Sequence, residues 1–160
     1  MIPASQSVDQ DVRIRAARTD DLNALVELDT AVFGRLAYQY FVLRQLFDLH
    51  REWWLVAEHP EGLRGYSLGV PTFDRRHGWL LGLGVRREFQ RRGYGRSLTV
   101  RSMRLLADAG VREVSLTVEP ANHRAIGLYS ELGFERERLA RDYLGPGEHR
   151  LIMTAALRVP

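Results

Sequence analysis

Residues 85–98 read Val85-Arg86-Arg87-Glu88-Phe89-Gln90-Arg91-Arg92-Gly93-Tyr94-Gly95-Arg96-Ser97-Leu98. An apolar, strand-like run ends at Val85, and a helical pattern begins near Gly93. Between them stand Gln90, two arginines and the pair Gly93 and Gly95. Glycine lets the backbone turn sharply and bring bare N–H groups close to a ligand. The helix that follows leaves its first N–H groups without intrahelical acceptors and carries a partial positive charge at that end. Backbone donors, the dipole and Arg91, Arg92 and Arg96 together make a cradle for a diphosphate. The same composition also suits a solvated arginine-rich turn.

Two other phosphate cradles are excluded. A dinucleotide fingerprint starting at Gly82 fails, because Gly84 is followed by Val85, Arg86 and Arg87 where a third glycine is needed. A P-loop needs a lysine, and the chain has none.

Gln90-x-x-Gly93-x-Gly95 after an apolar strand resembles the acyl-CoA signature of the GNAT superfamily of N-acetyltransferases. The resemblance implies an α/β (α+β) GNAT fold: a central mixed, mostly antiparallel seven-stranded sheet flanked by about four helices. It implies that Gln90, Arg91, Arg92, Gly93, Tyr94, Gly95 and Arg96 bind acetyl-CoA, with the amides of Arg91 to Arg96 on its pyrophosphate. Backbone around Leu83, Gly84 and Val85 would hold the thioester carbonyl.

The chain is 160 residues long and 45% hydrophobic, enough for one domain with its own core. It is expected to divide into a leader over residues 1–11 and a single domain over 12–160. No apolar run reaches membrane-spanning length and the start lacks signal-peptide order, so a cytoplasmic protein is expected. Zero cysteines remove disulfides, thiolate catalysis and cysteine-based zinc sites. The absence of lysine removes Schiff-base chemistry. All 23 basic residues are arginine, set among 20 acidic ones for a net charge of +3. With no aromatic-interleaved basic stripe, nucleic acid is not the expected partner.

Val12 to Ala16 alternates as a first strand. Thr19 precedes Asp20, Asp21 and the apolar run Leu22, Leu25, Val26, Leu28, the order of an N-cap and acidic first turn. Gly34 is expected to end that helix. A second helix is read from Ala37 to about Arg51, with Phe41, Val42, Leu46 and Phe47 inward and Phe33 in the core. The resemblance makes Tyr38 and Tyr40, between the helices, candidates for the acceptor wall.

Strands are read at 53–58, 63–70 and 79–85. In the last, Leu81, Leu83 and Val85 share one face and Gly82 and Gly84 the other. Bare glycine opens a slot in which pantetheine, with its two amides, can lie; a bulge or a closely packed neighbour is the other reading. Residues 93–109 read as a helix closed by Gly110, with Arg101 and Arg104 outward. Residues 113–119 read as a strand with Val114, Leu116 and Val118 on one side. A helix over 122–132 and two strands at 134–143 and 148–157 complete the chain.

Asn122 and Tyr129 are seven apart on one helix, about 10.5 Å at 1.5 Å per residue. On residue type alone, Asn122 caps its own helix and Tyr129 is a half-buried aromatic. The run Asn122-x-x-Ala125-Ile126-x-Leu128-Tyr129-x-x-Leu132-Gly133-Phe134 resembles the second CoA-side motif of GNAT enzymes. That resemblance implies that Asn122 bonds the pantetheine arm and that Tyr129, as general acid, protonates the departing thiolate. The tail (Arg141-Asp142-Tyr143, then Gly147-Glu148-x-x-Leu151-Ile152-Met153) is similar to the ribosomal-protein alanine N-acetyltransferases, in which the counterpart of Tyr143 lies by the acceptor.

One departure bears on the chemistry. The glutamate proposed as base in that branch corresponds here to Thr117, which cannot accept a proton at neutral pH. Glu119, two residues on, is the candidate for a base acting through a water; His123 and His149 are weaker ones. A site without a strong base suits α-amines, with pKa about 7.7–8.0, better than lysines near 10.4.

The expectation is direct transfer of acetyl from acetyl-CoA to a primary amine, with no metal, by a monomer or homodimer. The acceptor is a peptide or protein N-terminus or else a small-molecule amine. The contrasting reading is a non-catalytic acyl-CoA-binding module.

Overall fold

The computed structural model describes residues 11–158. The leader expected over 1–11 therefore lies outside the described residues except for Asp11, which sits in a turn. The strand order is β1-β2-β3-β4-β5-β7-β6 in a seven-stranded sheet. The strands are β1 (Arg13–Ala16), β2 (Trp54–His59), β3 (Gly62–Pro71), β4 (His77–Val85), β5 (Glu113–Val118), β6 (Glu135–Ala140) and β7 (Arg150–Ala156). Four helices accompany them: α1 (Leu22–Phe33), α2 (Tyr40–His50), α3 (Tyr94–Asp108) and α4 (His123–Glu131). The β1–β2, β2–β3, β5–β7 and β6–β7 pairs are antiparallel, and β4–β5 is parallel. This is the architecture expected of the chain. No described helix is long and apolar enough to cross a membrane.

The chain forms two compact units, one holding the residues up to Leu68 with Gly82–Ser102, the other Gly69–Leu81 with the residues from Met103 onward. In the first, Leu22, Leu25 and Leu28 of α1 pack into a core with Leu43, Phe47, Trp54, Tyr66 and Leu98, all buried. Trp54 and Tyr66 stack with ring centroids 5.6 Å apart.

Several local expectations are corrected here. Thr19 does not cap α1: it opens a 3-10 turn, Thr19–Asp21, and the carboxylate of Asp21 takes the N–H of Arg18 at 2.7 Å. Asp21 is also gripped by Arg15, at 2.7 and 2.8 Å, so the acid serves the strand as well as the turn. Gly34 does end α1, with φ of 57°. Helix α2 starts at Tyr40 rather than Ala37 and turns Leu43 and Phe47 inward, leaving Phe41 61% exposed. With Leu43 and Phe47 setting the buried face, Phe41 lies about 160° from the first and about 120° from the second around the helix and falls on the outer side. Phe33 is 39% exposed and is no core residue.

In the second unit the core comprises Leu106, Val111, Val114, Leu116, Ile126, Phe134, Leu151 and Met153. Gly110, at φ of 90°, ends α3 as expected: its N–H reaches the carbonyl of Ala107, and Val111 N–H reaches Leu106. Strand β7 lies between β5 and β6. The patterns account for this order. Arg150–Ala156 is largely buried and needs a neighbour on each side, while Glu135–Ala140 is exposed at all but its last residue. Alternating charge on an outer strand blunts edge-to-edge pairing. Both tail strands are shorter than read from sequence, so Tyr143 stands in the turn between them.

Candidate functional site

The phosphate-loop candidates belong to the first unit. After β4 a 3-10 turn, Arg87–Phe89, carries the chain to Gln90. The Gln90 side-chain amide donates to the carbonyl of Val85 at 3.0 Å, which latches the loop to the end of the strand. Arg91 and Gly93 then take φ of 65° and 87°. Left-handed residues at alternate positions turn successive N–H groups toward one side, a nest for an anion. A positive φ costs glycine nothing but strains an arginine, so its adoption at Arg91 marks a conformation imposed by the loop.

Helix α3 begins at Tyr94, its first turn closed by the N–H of Ser97 on Gly93. The N–H groups at the start of a helix have no intrahelical acceptors. Arg91, Arg92 and Arg96 are exposed around them. The donor set fits a diphosphate. Tyr94 can offer only its backbone, because its ring is buried at 2% exposure and its buried hydroxyl has no partner among the described residues.

The slot inferred at Gly82 and Gly84 is a correction. An added Cβ on Gly82 would stand 2.9 Å from Cε2 and Oη of Tyr66, and one on Gly84 would meet Tyr66 at 3.1 Å, Leu28 at 3.2 Å and Phe33 at 3.4 Å. The glycines make room for a core aromatic, not for a ligand. On the opposite face Leu81 is 42% exposed and Leu83 and Val85 are half-buried. Gly82→Ala is expected to lower stability by about 1–3 kcal/mol through overpacking against Tyr66, read as a fall in the denaturation midpoint.

Behind that strand lies a cluster that the sequence reading missed. Asp29, 1% exposed, accepts the Tyr66 hydroxyl at 2.5 Å and the backbone N–H of Tyr38 at 2.7 Å. Burial raises its carboxyl above the usual value, while these two donors pull it back. Its signal in the sequence was position: Asp29 follows Leu25 by four and shares the buried face of α1. Tyr38, held by that bond, is partly buried and its phenol is raised by burial and by the Asp29 charge. Tyr40 is 46% exposed.

The second unit carries the remaining candidates. Glu119 follows the end of β5, is exposed, and accepts the N–H of Asn122 through its backbone carbonyl at 2.9 Å. It has therefore entered the turn into α4 and does not continue the strand face of Thr117, which pairs with Ile152. Asn122 caps α4: its side-chain oxygen accepts the N–H of Ala125 at 3.1 Å. That leaves its amide N–H groups for another partner.

Tyr129 is 9% exposed and packs edge-on to Phe134 with centroids 5.8 Å apart. Its hydroxyl has no hydrogen-bond partner among the described residues. Burial alone pushes its pKa up to about 12, so the phenol is protonated at any working pH. Tyr143 is 45% exposed, in a turn where Asp142 (φ of 51°) donates its N–H to Nδ1 of His149 at 2.9 Å and accepts the N–H of Gly147 at 2.7 Å. His149 is thus engaged in loop structure, and His123 is an exposed first residue of α4.

Comparison with known proteins places this geometry. The Acetyltransferase (GNAT) family model matches residues 20–134, through both the loop and the α4 motif. An N-alpha-acetyltransferase of Saccharolobus solfataricus is 24% identical over 96% of this chain and 98% of its own. A mycothiol acetyltransferase of Beutenbergia cavernae is 40% identical over 51% of this chain, which is 27% of that protein. The ribosomal-protein-S18-alanine N-acetyltransferase of Escherichia coli shares the fold, with a TM-score of 0.77 at 22% identity over 93% of this chain and 96% of its own. With the glycine loop, the capped helix and its buried tyrosine in the matched region, the chain belongs to the GNAT acetyltransferase family and is an acetyl-CoA-dependent N-acetyltransferase.

Proposed function

We propose that the acceptor is the α-amine of a peptide or protein N-terminus. The observation that carries this reading is the likeness to an N-alpha-acetyltransferase along nearly the whole of both chains. The absence of a carboxylate at Thr117 supports it on independent, chemical grounds. At pH 7.5 roughly a quarter to two-fifths of an α-amine is neutral and nucleophilic, against about 0.1% of a lysine amine. An acceptor that supplies its own neutral form does not need a strong base beside it.

In this reading the amides of Gln90 to Arg96 hold the diphosphate of acetyl-CoA, and Arg91, Arg92 and Arg96 neutralise it. Backbone at Leu83 to Val85 steadies the thioester carbonyl as charge develops on its oxygen. The Asn122 amide N–H groups bond the pantetheine arm. The amine attacks the carbonyl carbon directly, the carbon–sulfur bond breaks, and Tyr129 donates to the sulfur. The proton lost by the amine passes to water, with Glu119 as relay. Tyr38, Tyr40 and Tyr143 contact the acceptor. The reaction is placed in the cytoplasm.

A small-molecule amine is the second reading, favoured by the higher but local identity to a mycothiol acetyltransferase. Thiol release from acetyl-CoA, with a pool of peptides bearing free N-termini set against a pool of small amines, decides between them. Turnover with small amines alone would remove the peptide reading.

The pH profile tests the missing base. For a peptide, kcat/KM is expected to rise with an apparent pKa of about 8, that of the α-amine, and then level off. No descending limb should come from Tyr129 below pH 11, because its phenol is held up to about 12. Glu119→Gln should leave the ascending limb in place. An ascending limb near pH 5 that vanishes in Glu119→Gln would instead make Glu119 the general base.

A further inference from the structure

A buried arginine stands behind the phosphate loop, where neither the loop motif nor the resemblance looks. Arg64 of β3 is 8% exposed. Its guanidinium lies 3.7 Å from the centroid of the Phe89 ring, and that of Arg92 lies 5.4 Å from the same ring. Arg64 is fixed from behind, through 2.8 Å bonds to Glu61 and to Nδ1 of His59. Its Nε is buried with no partner among the described residues. The backbone repeats the connection: the Arg64 carbonyl takes the N–H of Arg86 at 3.0 Å, and the Arg86 guanidinium reaches the carbonyl of Leu63 at 3.1 Å. Phe89 is the last residue of the turn before Gln90.

We propose that Arg64 is a positioning residue for the phosphate loop: it seats Phe89, and Phe89 seats Arg92 and the turn from which the anion-binding amides start. The inference rests on the diphosphate reading of the loop and deepens it. A cation clamped by its own carboxylate on one side presents a flat, fixed face on the other. An aromatic ring lies well on such a face because its π-electrons meet the positive charge. A ring held in this way also offers a seat to the second arginine, Arg92, 5.4 Å from its centroid, whose N–H donors can then meet an anion. Without the seat, Phe89 and Arg92 would sample many rotamers, and ordering them would weaken every encounter with the ligand.

The test compares acetyl-CoA with acetyl-pantetheine, a donor that keeps the thioester and lacks the diphosphate. Phe89→Leu keeps the apolar volume and removes the π face; Arg64→Met keeps the stem and removes the cation; Phe89→Tyr restores the ring. Dissociation constants for acetyl-CoA are expected to rise about ten-fold in Phe89→Leu and Arg64→Met, and to return to within about two-fold of wild type in Phe89→Tyr. Acetyl-pantetheine kcat/KM should be unchanged in all three. Unaltered acetyl-CoA affinity in Phe89→Leu would overturn the proposal, and so would equal losses with both donors, which would mark a merely structural role. Should Arg64→Met fail to fold, Phe89→Leu and its tyrosine rescue decide alone. Wild-type protein that binds acetyl-CoA no better than acetyl-pantetheine would remove the diphosphate reading itself, and the inference with it.

Discussion

Replacing Tyr129 with phenylalanine is expected to lower kcat by about 10²–10³-fold, the range of a lost proton or hydrogen-bond donor to a leaving group. The substitution is clean. The ring's edge-on contact with Phe134 is retained, and the hydroxyl removed has no partner among the described residues. Stability should therefore hold, and so should acetyl-CoA affinity, since the loop donors are untouched. The pKa of about 12 sharpens what the hydroxyl does. Against a thiol of pKa about 8.5, full proton transfer from such a phenol is uphill by roughly 5 kcal/mol in water. The low dielectric that raises the phenol also raises a thiolate leaving beside it, which narrows the gap. In the proposed reaction Tyr129 would work best as a donor whose bond to sulfur strengthens as charge develops there, a stabilisation present only in the transition state. Pre-steady-state thiol release, with acetyl-CoA and acceptor both saturating, is the measurement. A fall in kcat of less than about five-fold would remove Tyr129 from the acid's role.

The architecture was legible because each signal had a local cause. Glycine after an apolar strand marked the loop, Gly34 and Gly110 marked helix ends, and Asn122 marked a helix start. All four act within a few residues of themselves, so sequence spacing suffices to read them. What misled were residues whose role is fixed from far along the chain. Gly82 and Gly84 look like an open slot until Tyr66, on another strand, is seen to fill it. Phe41 looks internal until Leu43 and Phe47 are found to set the buried face of α2. Asp29 and Arg64 are easily passed over: Asp29 shows only in its register with Leu25, Arg64 is a single charge in an apolar run, and the partners of both lie on other elements. Both prove to be buried, and both prop elements that carry candidate ligand contacts.

The order of the tail strands shows the converse, a long-range fact with a local trace. Nothing in chain order places β7 between β5 and β6. Yet Glu135-Arg136-Glu137-Arg138 is too charged to be covered on both edges, and Leu151-Ile152-Met153 too apolar to be left at one. Pairing β7 on both sides satisfies its backbone and buries those three side chains together.

Asp29→Ala is expected to cost about 2–4 kcal/mol of stability and to raise KM for a peptide acceptor while leaving acetyl-CoA affinity in place. Two buried donors lose their acceptor at once: the Tyr66 hydroxyl and the Tyr38 N–H. Each orphaned group costs about 1–3 kcal/mol, and relief of the buried carboxylate offsets part of the sum. The KM effect follows from Tyr38, whose backbone is no longer tied to α1. The pH dependence of Asp29→Asn supplies the electrostatic check. Burial raises the Asp29 carboxyl above the ordinary carboxylate range, so the folded protein keeps that proton to higher pH than the unfolded chain does. Between those two values the folded state binds more protons, and its stability falls as pH rises through the window. Other carboxylates, Asp21 among them, are common to both proteins and cancel in the difference. The stability gap between wild type and Asp29→Asn should therefore be widest below about pH 4, where the unfolded carboxyl also holds its proton, and narrow as pH rises, measured by denaturant titration at each pH. A gap that widens with pH would mean that the two hydrogen bonds hold the carboxylate in its charged form more strongly than burial opposes it.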